Sequence, residues 1–442
     1  MKVLKFGGTS VGSAARIEHV ADLVAHAPAG SIVVLSAMSG TTNTLVEIAE
    51  YLYKGNIPGA QETINALTER YDAVLTELFG ADVNTHPEPR AAVARSLALL
   101  RSYCRGALTV QGEKEILAQG ELMSTAIMLE VLRRRGIAAA MLPALDYMRI
   151  TADGEPDMES TATALRRLIE LEPQAQLFLT QGYICRNHAG AIDNLRRGGS
   201  DYSASIIGAL ADAEEIQIWT DIDGMHNNDP RYVEGTRPVR MLHFEEAAEL
   251  AYFGAKILHP ACVLPAKLHN IPVRLLNTLE PQAPGTLICN CPSDGTVKAI
   301  AAKDGITLVN IKSGRMLLAY GFLHKVFETF ENHRTSIDIM ATSEVAVSVT
   351  IDDDSRLAAI VDDLMEFGTV SVDRNKVIVC IVGDLSHSDD DSRLGGIMRA
   401  LADIPVRMIS YGASERSVAI LVDADDKLRT LKALSAHLFN EA

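Results

Sequence analysis

The sequence has few cysteines and almost no tryptophan, with six cysteines and one tryptophan in 442 residues. The cysteines are far apart except for Cys289 and Cys291, which form a C-x-C pair. This spacing fits neither a disulfide framework nor the C-x-x-C arrangement of common zinc sites. We therefore predict no metal site built from protein ligands alone, and a protein of the reducing cytoplasm.

Positive charge is also scarce, since 41 lysine and arginine residues stand against 57 acidic residues and the formal net charge is -16. A surface of this sign repels nucleic acid and anionic membranes. The sequence has no apolar run long enough to span a bilayer, and it does not begin with the pattern of a signal peptide. We expect neither nucleic acid nor membrane as a partner, and an anionic substrate would need a local basic site.

Short apolar runs alternate with segments of helical periodicity through the first two thirds of the chain. Such runs are typical of buried strands, and the alternation predicts an α/β fold with a mainly parallel sheet sandwiched by helices. Residues from about 44 to 135 are helical in pattern almost throughout, which indicates a helical insertion before the third strand. The predicted strands are 3–6, 32–36, 138–142, 177–181, 216–219 and 272–276.

A region rich in proline and glycine at 280–296 is typical of a connector. Beyond it, a strand, a Ser-Glu turn and an alternating strand occur in SIDIMATSEVAVSVTID and again in PVRMISYGASERSVAILVD. Two copies of a small β-α-β-β module explain this repetition. Chance similarity of two hairpins is the alternative, because alternating strands are common. We predict a catalytic domain at 1–292 and a regulatory region of two small α+β modules at 293–442.

The chain begins MKVLKFGGTS, in which Lys5 precedes Gly7 and Gly8. A Walker A loop places its lysine after the glycines, so this arrangement is a different one. Taken alone, a Gly-Gly pair marks a tight turn more often than a ligand site. If the strand ends near Lys5, however, the lysine lies at the edge where open parallel sheets bind their ligands.

A second glycine-rich turn, Gly198 and Gly199, follows Arg197 and precedes a segment of helical periodicity. The free N–H groups at the start of a helix bind anions. Two glycine-rich turns, each beside a cation, imply a site for a polyanion. Single residues nearby also have simpler explanations, with Asp201 as a helix cap and Glu121 as a carboxylate that complements a helix dipole.

Several motifs occur together along almost the whole chain. They are KFGGTSVGS, SAMSGTTN, QGELMS, RRGGSDYSA, IWTDIDG with NDPR, FGAKILHP, and GFLHKVF followed by SIDIMATSEV. In this combination and order the sequence closely resembles the aspartate kinases of the amino acid kinase family. The resemblance implies phosphorylation of the side-chain carboxylate of L-aspartate to 4-phospho-L-aspartate, with ATP as co-substrate and Mg²⁺. It also implies that the C-terminal repeats are ACT domains, which bind amino acids.

The resemblance further implies roles for single residues. Lys5 would contact the transferring phosphoryl group, and Asp201 would orient Lys5 or a metal-bound water. Arg197 would bind the α-carboxylate of aspartate and Glu121 its α-ammonium group, with Thr42 and Ser200 in the same pocket. The nucleotide would be held by Lys5, Gly7, Gly8, Ser10, Thr220, Asp221, His226, Arg231 and Lys256. No general base is required, because a carboxylate is already ionised at pH 7.

The sequence is most similar to the lysine-sensitive, single-function type, because it ends after the repeats with no room for an appended dehydrogenase. Lysine is therefore the expected feedback inhibitor of this first step of the pathway to lysine, threonine and methionine. We expect it to bind in the first repeat, beside an exposed turn at 321–323, where the repeats of two subunits pack in a homodimer or higher homo-oligomer. The implied residues are Met316, Phe322, Asp338, Ser343 and Glu344.

Several positions depart from the family pattern, among them Asn227 and Asn228. Asp193 and Asn194 stand where threonines are usual, and Arg196 replaces a glycine in the same loop. His226 stands where the family has a tyrosine on the nucleotide side. These departures concern the substrate loop and the contacts to the nucleotide.

Two other interpretations remain open. The first is another kinase of the same fold, such as a glutamate 5-kinase or an acetylglutamate kinase, which the helical insertion and the two repeats disfavour. The second is a non-catalytic amino-acid sensor in which only the repeats function. The joint presence of Lys5, Arg197 and Asp201 argues against that second interpretation.

Overall fold

The computed structural model describes residues 1–82, 84–195, 198–254, 260–292, 295–312, 321–384 and 392–439. The chain forms two compact units, of which the first contains residues 1–225 and 257–290 and the second contains residues 226–256 and 291–442. The six cysteines are free thiols. Among the described residues, no helix has the length and apolar character needed to cross a membrane.

The strands, in chain order, are β1 (Lys2–Phe6), β2 (Ser31–Leu35), β3 (Ala139–Leu142), β4 (Leu177–Gln181), β5 (Ile184–Arg186), β6 (Ile192–Asn194), β7 (Glu215–Thr220), β8 (Met241–His243), β9 (Val273–Asn277), β10 (Thr286–Cys289), β11 (Val297–Lys312), β12 (Met340–Thr342), β13 (Ala346–Ile351), β14 (Thr369–Gly383), β15 (Val406–Ser410) and β16 (Ser417–Asp423). The helices are α1 (Ala14–Ala25), α2 (Thr41–Tyr53), α3 (Ile57–Phe79), α4 (Pro87–Tyr103), α5 (Val110–Leu117), α6 (Gln119–Arg134), α7 (Ala144–Tyr147), α8 (Met158–Glu170), α9 (Gly199–Leu210), α10 (Phe244–Tyr252), α11 (Pro260–Leu268), α12 (Phe322–Asn332), α13 (Leu357–Met365), α14 (Ser392–Ala400) and α15 (Lys427–Phe439).

The main sheet of the first unit runs in the order β3-β4-β2-β1-β7-β9-β10. In this order, each of the first six strands, from β3 to β9, is parallel to its neighbours among them, and the seventh strand, β10, is antiparallel to β9. Every residue of β2 and β4 is buried, as expected of parallel strands covered on both faces. The predicted α/β fold with a mainly parallel sheet is confirmed.

The helical insertion is also confirmed, because α2 through α6 occupy the chain from Thr41 to Arg134. Their apolar side chains, among them Leu45, Ile48 and Tyr71, join those of α1 and of the sheet in one core. Side chains cap two of these helices: Asn56 accepts the N–H of Gly59 at the start of α3, and Thr109 does the same for Gly112 in α5. The insertion therefore packs as part of the first unit.

The predicted connector at 280–296 is wrong for part of its length, because it contains strand β10. Thr286 and Ile288 are buried and alternate with half-buried neighbours. The strand pairs with β9, with Thr286 opposite Leu275 and Ile288 opposite Val273. Because the strand has only four residues and is flanked by prolines and glycines, the turn residues dominated the sequence pattern and the strand was not predicted.

The second unit contains a sheet in the order β12-β13-β11-β14-β16-β15. Its two halves have the same sequence of elements, β11-α12-β12-β13-α13 and β14-α14-β15-β16-α15, so the predicted repeat is confirmed and each copy has one further helix. The long strands β11 and β14 pair antiparallel and join the halves. Each half has its own hydrophobic cluster, one around Phe330 and one around Ile420.

Candidate active site

The structure brings the two predicted catalytic residues together. Lys5 lies next to the last residue of β1, a strand paired on both sides, opposite Val34 of β2 and Ile218 of β7. Its Nζ lies 2.5 Å from Oδ1 of Asp201 in the first turn of α9. The side chains of Lys5 and Asp201 are 11% and 17% exposed, so the ion pair is partly shielded from water but still in reach of a ligand.

The glycines that follow β1 allow two loops to meet. A Cβ at Gly8 would lie 2.8 Å from the carbonyl oxygen of Ala37, in the loop after β2, and the N–H of Ser39 donates to the carbonyl oxygen of Gly8 at 3.0 Å. At Gly7 a Cβ would meet Nζ of Lys5 at 3.6 Å, which is an ordinary contact. Packing therefore requires glycine at position 8, while Gly7 lies directly beside the lysine ammonium group.

Ser10 is buried in the turn that follows these glycines. Its hydroxyl forms a hydrogen bond of 2.7 Å with the hydroxyl of Thr278, just beyond β9. The Ser10 side chain thus ties the first loop to the neighbouring part of the sheet. This contact gives Ser10 a structural role in addition to the nucleotide contact predicted for it.

Helix α9 begins at the second glycine-rich turn. Gly198 and Gly199 have φ of 74° and 49°, in the left-handed region that favours glycine. Ser200 is buried and its Oγ accepts a hydrogen bond of 2.9 Å from the hydroxyl of Ser36. The 12-residue helix therefore directs its N-terminus toward the loop after β2. Arg197, predicted to bind the substrate carboxylate, lies outside the described residues.

Glu121 is a buried carboxylate at the start of α6. It is 4% exposed, and its Oε1 accepts the N–H of Ala37 at 3.2 Å. Its Oε2 is buried and has no hydrogen-bond partner among the described residues. Burial raises the pKa of Glu121 to about 7, although the backbone hydrogen bond opposes the shift. An acceptor in this state is suited to receive a cationic group from a ligand.

Thr42 lies in the first turn of α2, at the end of the loop that contains Ala37, and it is exposed. Its neighbour Thr41 is buried and forms a hydrogen bond of 3.2 Å with the hydroxyl of Tyr71. The two threonines therefore differ in environment. Thr41 anchors the start of the helix, and Thr42 is available at the surface of the loop.

The predicted nucleotide residues lie in both units. Thr220 ends β7, beside β1 in the sheet, and its hydroxyl donates to Oδ1 of Asp221 at 3.2 Å. His226 and Arg231 belong to the second unit, where His226 Nδ1 lies 3.0 Å from Oγ1 of Thr236. Arg231 is exposed and pairs with Asp229 at 2.6 Å. Lys256 lies outside the described residues.

The predicted inhibitor residues occupy three kinds of environment. Ser343 and Glu344 are exposed in the turn between β12 and β13. The expectation of an exposed turn at 321–323 is wrong for Phe322, which is 7% exposed and packs its ring edge-on against Phe367 with 5.8 Å between centroids. Phe322 is the first residue of α12 and its ring fills the core beneath that helix. Met316 lies outside the described residues.

Asp338 is the charged member of this group whose side chain is buried. Its side chain is 1% exposed, and its Oδ1 lies 2.6 Å from Nζ of Lys303 and accepts the hydroxyl of Tyr252 at 2.9 Å. Lys303 also pairs with Asp352 at 2.8 Å. The Oδ2 atom of Asp338 is buried and has no hydrogen-bond partner within the part of the chain that the structure describes.

Comparison with known proteins identifies the family. A model described as the amino acid kinase family matches residues 1–277, and one described as an ACT domain matches residues 394–438. The chain is 34% identical over 453 residues to lysine-sensitive aspartokinase 3 of Escherichia coli (strain K12), with 99% of each chain covered. The chain belongs to the aspartokinases of the amino acid kinase family. The resemblance found in the sequence is confirmed.

Solved aspartokinase structures agree with this assignment. Aspartokinase III of E. coli in complex with aspartate and ADP, in its R-state, matches with a TM-score of 0.87 at 33% identity, covering 100% of both chains. The same enzyme in complex with lysine and aspartate, in its T-state, matches with a TM-score of 0.79 at 34% identity and the same coverage. The fold is therefore that of an aspartokinase along the whole chain.

Sequence reasoning missed three polar residues that contact predicted site residues or their neighbours. Lys303 and Tyr252 hold Asp338, and Lys114 of α5 pairs with Asp193 of β6 at 2.5 Å. Each partner is distant in sequence, so no spacing pattern connects them. The unusual aspartate at position 193 was the one available signal, because a buried acid needs a cationic partner.

Proposed function

We propose that this aspartokinase transfers the γ-phosphoryl group of ATP to the side-chain carboxylate of L-aspartate. A carboxylate oxygen of aspartate forms a bond to the γ-phosphorus as the bond from that phosphorus to the β–γ bridging oxygen breaks. The products are 4-phospho-L-aspartate and ADP. The observation that carries the proposal is the buried Oε2 of Glu121, which has no hydrogen-bond partner among the described residues and would accept the α-ammonium group of an amino acid.

Charge repulsion is the main barrier to this reaction, because an anionic nucleophile approaches an anionic phosphoryl group. Catalysis then depends on alignment and on neutralisation of charge by cations and N–H groups. Lys5 supplies such a cation at the carboxyl end of β1, and Asp201 holds its ammonium group in place at 2.5 Å. The N-terminus of α9 adds backbone N–H groups at the same edge.

Aspartate is oriented by groups of opposite charge at its two ends. Glu121 takes the α-ammonium group, and Arg197 takes the α-carboxylate through a two-pronged contact. Thr42 and Ser200 complete the pocket with hydroxyl groups. This assignment disfavours acetylglutamate as the substrate, because its acylated nitrogen carries no positive charge to pair with Glu121.

ATP is held by the loops after β1 and β7. The proposed contacts are Lys5, Gly7, Gly8, Ser10, Thr220, Asp221, His226, Arg231 and Lys256. The described residues contain no group of three or more metal-ligating side chains. Mg²⁺ is commonly held by one or two carboxylates together with phosphates, and Asp201 and Asp221 are the carboxylates that would serve. When bound, the ion neutralises charge on the phosphates.

Regulation is assigned to the second unit. We propose that lysine binds at the first repeat, with its ammonium groups accepted by Asp338 and Glu344 and with Ser343, Phe322 and Met316 around it. We also propose that two subunits associate through their ACT repeats and that the protein acts in the cytoplasm. The free thiols are consistent with a reducing compartment.

One assay tests the proposed activity. ADP release and trapping of the acyl phosphate with hydroxylamine are measured with aspartate, glutamate and acetylglutamate side by side. We expect hydroxamate formation with aspartate alone. Turnover of another carboxylate in preference to aspartate, or none with any of the three, would reject the assignment.

A further inference from the structure

Helix α5 holds the short strand β6 through two side chains. Nζ of Lys114 lies 2.5 Å from Oδ2 of Asp193, and Nε2 of Gln111 donates to the carbonyl oxygen of Ile192 at 2.9 Å. Residues three apart on a helix share one face. One face of α5 therefore binds two successive residues of β6.

The ion pair between Lys114 and Asp193 is well shielded from water. Their side chains are 20% and 6% exposed. The second oxygen of Asp193, Oδ1, accepts the N–H of Asn194 at 2.8 Å, so both oxygens are engaged. Removal of one partner from such a pair leaves a shielded charge without compensation, which is unfavourable. Exposed ion pairs, in contrast, contribute little to stability. The pair Lys54–Glu50, 68% and 60% exposed, is an exposed pair of this kind in the same unit.

Helix α5 and strand β6 are each followed along the chain by an element that carries a residue of the proposed aspartate pocket. Helix α6 begins two residues after the end of α5 and carries Glu121. After β6, the N–H of Leu195 donates to the carbonyl oxygen of Tyr183 at 2.8 Å, and α9 with Ser200 begins at Gly199. Arg197 lies between them outside the described residues, so only the sequence connects it to Asp193.

We propose that Lys114 and Asp193 form a positioning pair for aspartate recognition. The pair fixes strand β6 relative to helix α6, which supplies the ligand for the α-ammonium group. Strand β6 is tied to helix α9 with Ser200, because the N–H of Leu195 donates to the carbonyl oxygen of Tyr183 and the N–H of Tyr183 donates to Oγ of Ser203. The inference rests on the proposed function, because Glu121 and Ser200 are proposed ligands of aspartate. It also accounts for an aspartate at position 193, where the family usually has a threonine, since Lys114 supplies its charge partner.

Steady-state kinetics of four variants test the pair. Lys114→Met and Asp193→Asn should each raise the KM for aspartate about 30-fold or more, the effect expected when one partner of a shielded charge pair is lost. The KM for ATP and kcat should stay within about twofold, because neither residue contacts the nucleotide or Lys5. Lys114→Arg keeps the charge and should restore a KM close to that of the wild type. Lys54→Met removes the exposed lysine and should change nothing.

Two fragments of aspartate, used as competitive inhibitors, separate positioning from general stability. Succinate keeps both carboxylates and lacks the ammonium group, whereas 3-aminopropanoate keeps the ammonium group and lacks the α-carboxylate. Asp193→Asn should raise the inhibition constant of succinate and leave that of 3-aminopropanoate unchanged.

The inference is overturned if Lys114→Met and Asp193→Asn behave like Lys54→Met. It is also overturned if the KM values for aspartate and ATP rise together with a loss of thermal stability, because that result indicates a structural role alone. Should Lys114→Met not fold, Asp193→Asn, which keeps the shape of the side chain, and Lys114→Arg decide the question. A wild-type enzyme that does not phosphorylate aspartate would instead reject the proposed function, and the inference with it.

Discussion

The ammonium group of Lys303 lies 2.6 Å from Oδ1 of Asp338, and the hydroxyl of Tyr252 donates to the same oxygen at 2.9 Å. Burial raises the pKa of Asp338, and the contacts with Lys303 and Tyr252 oppose that shift. The other oxygen, Oδ2, is a buried acceptor without a partner among the described residues. One oxygen is thus fixed by the protein, and the second would accept an ammonium group of the proposed inhibitor.

Asp338→Asn should therefore weaken inhibition by lysine. The amide keeps the shape of the side chain but loses the negative charge. The lysine concentration for half-inhibition should therefore rise about tenfold or more, which corresponds to the binding free energy lost with one charge-assisted hydrogen bond. Activity is titrated with lysine in the variant and the wild type. Asp352→Asn, which alters the more exposed partner of Lys303, is the control and should shift inhibition less.

Glu344→Ala should abolish inhibition by lysine and leave uninhibited kcat and KM close to wild type. Glu344 is exposed in a turn, so its truncation does not disturb the core. Titration with lysine, threonine and methionine separately checks this, with coupling of about 5- to 150-fold expected between inhibitor and substrate in the wild type. A wild-type enzyme insensitive to all three amino acids would contradict the regulatory assignment.

Lys5→Ala should lower kcat about 100-fold or more and barely change the KM for aspartate. Its cation acts on charge that develops as the phosphoryl group transfers, which is a transition-state effect. Asp201→Asn should lower kcat less, because it leaves the lysine in place and only loosens its orientation. Circular dichroism confirms folding, and a folded Lys5→Ala variant with near-normal kcat would exclude the assigned role.

The pH dependence of aspartate binding should follow the ionisation of Glu121. Since burial raises its pKa to about 7, the carboxyl is protonated in a growing share of free enzyme below that pH and cannot pair with the α-ammonium group. Well below pH 7, each decrease of one pH unit should raise the KM for aspartate about tenfold. Above about pH 8 the KM should no longer change with pH. Glu121→Gln should have a higher KM that is independent of pH in this range. An equal slope in both proteins would assign the titration to another group.

Arg197→Lys should raise the KM for aspartate strongly, because an ammonium group cannot reproduce the planar two-pronged contact with a carboxylate. Arg196→Gly restores the residue usual in the family and should have a mild effect. Isothermal titration with aspartate measures both variants. The reverse order of effects would mean that Arg196 is the cation that binds substrate.

The sequence was sufficient where local pattern determines structure. The position of Lys5 at the end of a buried strand follows from a short apolar run before a glycine turn, and the two repeats follow from their alternating strands. Strand β10 escaped prediction because turn residues flank only four strand residues. Phe322 was misjudged because a glycine turn precedes it, while its ring packs on Phe367 at a distance in sequence.

Contacts set by tertiary packing could not be predicted. A glutamate at the start of a helix has the same sequence pattern whether its side chain is exposed or buried. Glu121 is buried because α6 packs closely against the loop after β2. A Cβ at the preceding Gly120 would come within 2.7 Å of Cβ of Ala37. The partners of Asp193 and Asp338 likewise come from elements far along the chain, so their pairing depends on the assembled fold.

Oε2 of Glu121, which has no partner in the described parts of the chain, also couples the stability of the folded protein to aspartate binding. An unsatisfied buried acceptor costs about 1 to 3 kcal/mol, and the unfolded chain gives this carboxyl back its water. Ligand binding to the folded state alone removes that cost and adds stabilisation by mass action. Degradation in cells often proceeds through the unfolded chain. Bound aspartate would therefore protect the folded enzyme from degradation through its unfolded state.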